Sequence, residues 1–135
     1  MANEMTLEIV TPEGAVFKGA IDGVTIPGTD GEFGVLKGHA PLVGSVGIGT
    51  LSIVKGNTKT FYAVNTGYVK VSPTHVTMLV ETAERSDMID LGRAERARQR
   101  AEEQMGKLPR DVAEFEKTRV ALMRAIARIN TSGRK

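Results

Sequence analysis

Apolar and polar positions change their rhythm once along this chain, near residue 84. Before that point they alternate over short stretches, the two-residue period of half-buried strands. Met5 to Val10 alternates and stops at Thr11-Pro12-Glu13-Gly14, a turn signal. Ala15 to Lys18 and Ile21 to Ile26 read as the next strands. Thr29-Asp30-Gly31-Glu32 predicts a tight hairpin, because Asp-Gly tolerates the positive φ of a type I′ turn. Leu51 to Val54 and Lys59 to Val64, around Lys55-Gly56-Asn57, form a second hairpin. Val69 to Val71 and Val76 to Val80, around Ser72-Pro73-Thr74, form a third. Short strands at this spacing predict a sandwich or barrel. Aromatics are only 4% of the chain, so its core is aliphatic: Leu51, Ile53, Val64, Val69, Val71, Val76, Met78 and Val80.

From Ser86 onward glycine is rare, and Arg, Ala and Glu dominate, which are helix formers. Ser86 or Asp87 is the expected cap of a first helix running to about Met105, with Asp90 in its first turn. Ala94, Ala97, Ala101, Met105 and Leu108 fall at spacings of three and four and make one stripe. That stripe is narrow and built of small side chains, so it permits close approach but releases little hydrophobic free energy. Gly106-Lys107-Leu108-Pro109-Arg110 breaks the helix. Asp111 is the expected cap of a second helix reaching about Ile129, with Asn130 and Gly133 as stop signals. Its expected stripe is Val112, Phe115, Leu122, Ile126 and Ile129, with Arg119 at a step where another apolar residue belongs. The short connection favours an antiparallel hairpin, weakly held by its alanines. The fold class is α+β, with an N-terminal domain at residues 1–85 and a two-helix domain at residues 86–135.

The chain has 135 residues and a net charge of +2, too low to name nucleic acid as the partner. The charge is unevenly spread. Residues 1–84 carry 5 basic and 8 acidic side chains, against 13 basic and 8 acidic in residues 85–135. Two parts with different partners are expected. There is no cysteine, which excludes disulfides and thiolate metal sites. No run approaches 18 apolar residues, and Met-Ala-Asn-Glu-Met-Thr at the N-terminus lacks the features of a secretory signal.

Residues 30–43, Asp-Gly-Glu-Phe-Gly-Val-Leu-Lys-Gly-His-Ala-Pro-Leu-Val, resemble the signature loop of the epsilon subunits of bacterial F-type ATP synthases. Val10 to Gly14, Val64 to Val71, Val76 to Val80 and Ala83-Glu84 resemble other segments of that family, so the likeness spans residues 5–130. Asn65-Thr66 stands where the family usually has Ser-Gly, and Lys37 where proline is frequent. The resemblance implies a ten-stranded β-sandwich followed by two helices. It implies a non-catalytic rotor subunit of the central stalk that couples the catalytic head to the c ring. Its implied partners are the gamma subunit, the c ring and the alpha and beta subunits, at the cytoplasmic face of the bacterial membrane. It also implies that the helices, folded down, permit ATP hydrolysis and, extended into the catalytic head, inhibit it.

Ile89-Asp90-Leu91-Gly92-Arg93-Ala94 is similar to the pattern of epsilon subunits that bind ATP in the folded-down state, and Glu84, Arg100, Arg124 and Arg128 match further nucleotide-contacting positions. The resemblance therefore implies regulatory ATP, with no cofactor required. Arg93 and Arg100 share a face of the first helix, and Arg124 and Arg128 are one turn apart on the second. Like charges so spaced repel by ~0.2–0.5 kcal/mol per pair, which a polyphosphate would reverse. Gly92 costs ~1 kcal/mol against alanine inside a helix.

The resemblance implies contact with other subunits at Glu32 and His39, and the basic face of the second helix adds Arg119 as an expected contact. Two other function classes are open to the residues alone. A nucleic-acid-binding module using the basic helices is opposed by Glu95, Glu102, Glu103, Glu114 and Glu116 interleaved with the arginines. A sandwich enzyme using His39 and Glu32 lacks a nucleophile–base pair. With His75 the only other histidine, a metal site lacks ligands, and Gly31, Gly34 and Gly38 are not followed by the Gly-Lys-Ser/Thr of a phosphate loop.

Overall fold

The computed structural model describes residues 5–134. Residues 1–4, which hold most of the N-terminal segment read against a secretory signal, and residue 135 lie outside the described residues. Ten strands come first: β1 Met5–Thr11, β2 Gly14–Ile21, β3 Gly23–Gly28, β4 Gly31–Leu36, β5 Leu42–Val46, β6 Gly49–Lys55, β7 Thr58–Val64, β8 Gly67–Val71, β9 His75–Val80 and β10 Ala83–Arg85. A 3-10 turn, Ser86–Met88, leads to α1, Leu91–Lys107, and α2, Ala113–Thr131. The strands run β10-β7-β6-β3-β5-β8-β9-β1-β2, with β4 added to β3. Among the described residues only the β1–β9 pair is parallel. β3 joins the two halves, pairing β6 through Val24 and Ile53 and β5 through Gly28 and Val46. The sheet thus folds over into a sandwich. Leu7, Ile9, Ile21, Ile26, Val46, Leu51, Val69, Val71, Val76 and Met78 fill it almost without exposure. All eight aliphatic residues expected in the core belong to it.

The structure departs from the sequence reading in several places. Ile21 to Ile26 is not one strand. It is broken at Asp22, whose carboxylate accepts from the Gly56 N–H at 2.6 Å and whose own N–H donates to Val54 at 2.8 Å. The Asp22-Gly23 pair inside the segment is itself a turn signal, which the single-strand reading passed over. The 30–43 signature is not all loop, since β4 and the start of β5 lie within it. The first hairpin forms, but not with a type I′ turn. Gly28 pairs with Gly31, no non-glycine residue among the described residues has positive φ, and Gly31 itself sits at φ +125°. A type I′ turn needs positive φ at both loop residues, here Thr29 and Asp30.

The helix boundaries also move. Asp90, not Ser86 or Asp87, caps α1, accepting from the Arg93 N–H at 3.0 Å. Asp87 is instead taken by Arg85 at 2.6 Å, and buried Ser86 donates to the Arg134 carbonyl at 3.0 Å. Val112, without a side-chain cap bond, precedes α2 in place of Asp111. The expected stripe of α2 is corrected too. Val112 and Ile126 are exposed, whereas Thr118, Ala125, Ala127 and Thr131 are buried. The reason is that α2 has two neighbours, α1 on one side and strands β6 and β7 on the other. Ala127 and Thr131 face the sandwich, where Thr131 meets Thr50 of β6 at 2.7 Å. Thr118 and Ala125, seven residues apart, serve the face toward α1. A helix held between two partners closely needs small residues on both faces, which blurs a single apolar stripe.

Candidate functional site

The residues singled out for nucleotide converge where the first turns of α1, the last turns of α2 and strand β10 meet. β10 pairs with β7 through Glu84 and Ala63, which fixes Glu84 at the sheet edge. Asp90 ends the connector, and Arg93, Ala94, Ala97 and Arg100 follow at helical spacing along one side of α1. The hairpin returns Arg128 to the same place. Together they enclose a polar cavity of about 480 Å³, also lined by Met88, Ile89 and Arg96. Seven of the eight residues named from the sequence line it: Glu84, Ile89, Asp90, Arg93, Ala94, Arg100 and Arg128. The eighth, Arg124, does not. It lines an adjoining hollow of about 290 Å³ with Asn65, Thr82, Ala127 and the shared Glu84 and Arg128.

Four arginines, Arg93, Arg96, Arg100 and Arg128, face two carboxylates in the larger cavity. One of these, Asp90, is engaged in capping α1. The other, Glu84, accepts from Arg128 Nε at 3.3 Å. The balance is positive, and the arginines present planar forks suited to phosphate oxygens. Arg96 was missed in the sequence, since nothing in the motif marks the position three after Arg93. Glu81 and Asn65 were missed as well. Asn65, 4% exposed, donates from Nδ2 to Glu81 at 3.5 Å, and the same carboxylate oxygen stands 3.8 Å from Arg124.

The three expected contact residues lie apart from this cavity. Glu32 is exposed on β4, opposite Pro27. His39 donates from Nδ1 to the Ala40 carbonyl at 2.7 Å, and no hydrogen bond joins it to Glu32 among the described residues. Arg119 is exposed and bonded to Glu116 at 2.6 Å, which holds the Glu116 carboxyl below its ordinary range. No group of three or more metal-capable side chains occurs among the described residues. On the other half of the sheet Val43, Tyr68 and Leu79 of β5, β8 and β9 are 74%, 65% and 55% exposed. Tyr68 and Leu79 border a largely apolar hollow of about 620 Å³ that reaches Val10 and Pro12.

Two family models divide the chain between them. The beta-sandwich domain of the ATP synthase delta/epsilon chain matches residues 4–86, and its long alpha-helix domain matches residues 87–133. The chain belongs to the ATP synthase delta/epsilon family. Within it, the chain is 43% identical over 134 residues to ATP synthase epsilon chain 2 of Syntrophotalea carbinolica, covering 99% of this chain and 97% of that one. It is 46% identical over 134 residues to the ATP synthase epsilon chain of Trichlorobacter lovleyi, with the same coverage, 99% and 97%. Among solved structures, a chain of the Euglena gracilis mitochondrial ATP synthase, in an OSCP/F1/c-ring structure, superposes with a TM-score of 0.79. That likeness has 23% identity and covers 89% of this chain and 76% of the other, and so speaks to the fold. A chain from the central stalk and c ring of the Tetrahymena thermophila enzyme gives 0.52 at 14% identity, over 67% and 69% of the two chains. Epsilon chains are structural and regulatory subunits of ATP synthase rather than catalytic ones. No helix among the described residues is long and apolar enough to cross a membrane.

Proposed function

We propose that this chain is a rotor-stalk regulator of a bacterial F-type ATP synthase, working as two parts, residues 1–85 and 86–135. The sandwich docks on the gamma subunit and the c ring at the cytoplasmic face of the membrane, and the helical hairpin brakes ATP hydrolysis. The docking reading draws support from exposed Val43, Tyr68 and Leu79, which lie on a half of the sheet that α2 leaves free. Glu32 and His39 belong to the same platform, on the β4–β5 segment.

The observation that carries the regulatory reading is the cavity between α1, β10 and Arg128 of α2. It exists only while the hairpin lies on the sandwich. A ligand there binds the folded-down state alone and shifts the balance toward it by its differential affinity. ATP fits the cavity's charge, and its release frees the hairpin to extend. Arg124 and Arg128 then lose Glu81 and Glu84 as partners and, with Arg119, can meet acidic surfaces of the beta subunits. A coupling on the order of 1–3 kcal/mol is enough for such a switch.

The test is calorimetry of the isolated chain with ATP, alongside Arg93→Ala and Arg128→Ala. Wild type is expected to bind ATP without hydrolysing it, and each variant to lose tenfold or more, roughly the loss of one charge-assisted hydrogen bond. No heat at millimolar ATP, or equal binding by the variants, overturns the nucleotide site.

A further inference from the structure

Arg124 is the one residue of the nucleotide set that the fold turns away from the main cavity. It is one turn from Arg128 on α2, and Arg128 lines both hollows. Arg124 is therefore close enough to serve the same ligand. Its guanidinium instead stands 3.8 Å from Glu81. The Glu81 carboxylate is not loose. Asn65 donates to the same oxygen at 3.5 Å, and Asn65 is itself fixed, accepting from the Thr66 N–H at 2.8 Å and donating its own N–H to Thr82 at 3.0 Å. A nearly buried side chain thus aims Glu81 at the arginine from the sandwich side.

From this geometry we propose that Glu81 is an internal competitor of the bound anion, a residue that sets nucleotide affinity by holding Arg124 out of the cavity. The inference rests on the nucleotide reading above and adds the residue that tunes it. A carboxylate and a phosphate seek the same guanidinium fork, so Glu81 competes with a ligand for Arg124 at Nη2, while its Nε has no hydrogen-bond partner among the described residues. The pair is half exposed, which limits the penalty to the range of surface ion pairs. A serine at position 65 would have a shorter side chain and no amide donor to present to Glu81.

The experiment is a double-mutant cycle read by calorimetry with ATP on the full chain: wild type, Glu81→Gln, Arg124→Ala and the double variant. Glu81→Gln keeps the shape and removes the charge. It is expected to tighten ATP binding roughly two- to fivefold, the range of an exposed ion pair. That gain is expected to vanish when Arg124 is absent. Asn65→Ser is expected to tighten binding in the same direction by releasing Glu81. If wild type binds ATP and Glu81→Gln binds no better, the competitor role is overturned while the nucleotide site stands. A gain that persists in the double variant overturns it too, because the effect is then one of overall charge. Absence of binding in all variants overturns the nucleotide reading and this one with it.

Discussion

Among the glycines, Gly67 leaves the least room for a side chain. It opens β8 between Val46 of β5 and Val80 of β9, and a Cβ there would collide with the Leu79 carbonyl oxygen. The obstacle is paired backbone, which cannot swing aside as a side chain can. Gly67→Ala is therefore expected to destabilise the fold by about 3 kcal/mol, the upper range of overpacking. Thermal or denaturant melting checks this, and an unchanged midpoint refutes it. At this scale the core was legible, because strand residues that alternate in polarity fall on opposite faces. The caps were not. Ser86, Asp87 and Asp90 are all acceptable cap residues, and Asp90 takes the Arg93 N–H while Ser86 is taken by the distant Arg134 carbonyl and Asp87 by Arg85. The motif residues around Asp90 were readable, but Arg96, Asn65 and Glu81 entered the site only through folding.

At the scale of elements, α2 is held to the sandwich by alanine contact and by a polar latch at its end. Thr131 is fully buried and donates its hydroxyl to the Ala127 carbonyl at 2.7 Å. Its proton is thus committed, so Thr50 is the donor in the 2.7 Å bond that joins the two threonines. Close by, the Arg134 guanidinium lies 5.6 Å from the centre of the Phe61 ring. Thr131→Val keeps the shape and deprives Thr50 of its acceptor, at a cost of about 1 kcal/mol. Hydrogen exchange is expected to quicken about fivefold in the α2 amides, with sandwich amides unchanged. Equal protection of α2 in the variant means the latch contributes nothing. The sequence stripe placed Ile126 inside and passed over Thr118 and Thr131, because a helix with two small-residue interfaces does not show one apolar face.

At the scale of the whole molecule, the buried core cluster is drawn entirely from the strands, with no residue from either helix. A chain ending at residue 86 is therefore expected to fold, melt cooperatively and still join the catalytic sector in a pull-down. Enzyme assembled with that truncated chain is expected to hydrolyse ATP faster than with the full chain. Unchanged hydrolysis removes the braking role, and failure to assemble removes the division of labour. The sequence alone determined the two-part architecture, the aliphatic core, the hairpin order and the family, since periodicity, turn chemistry and a long motif are local properties of the chain. Tertiary structure alone decided the two-sided packing of α2 and the split of the arginines between Glu81 and an open cavity. Each of these depends on which residues far apart in sequence arrive within a few ångströms, and short-range patterns do not encode that meeting.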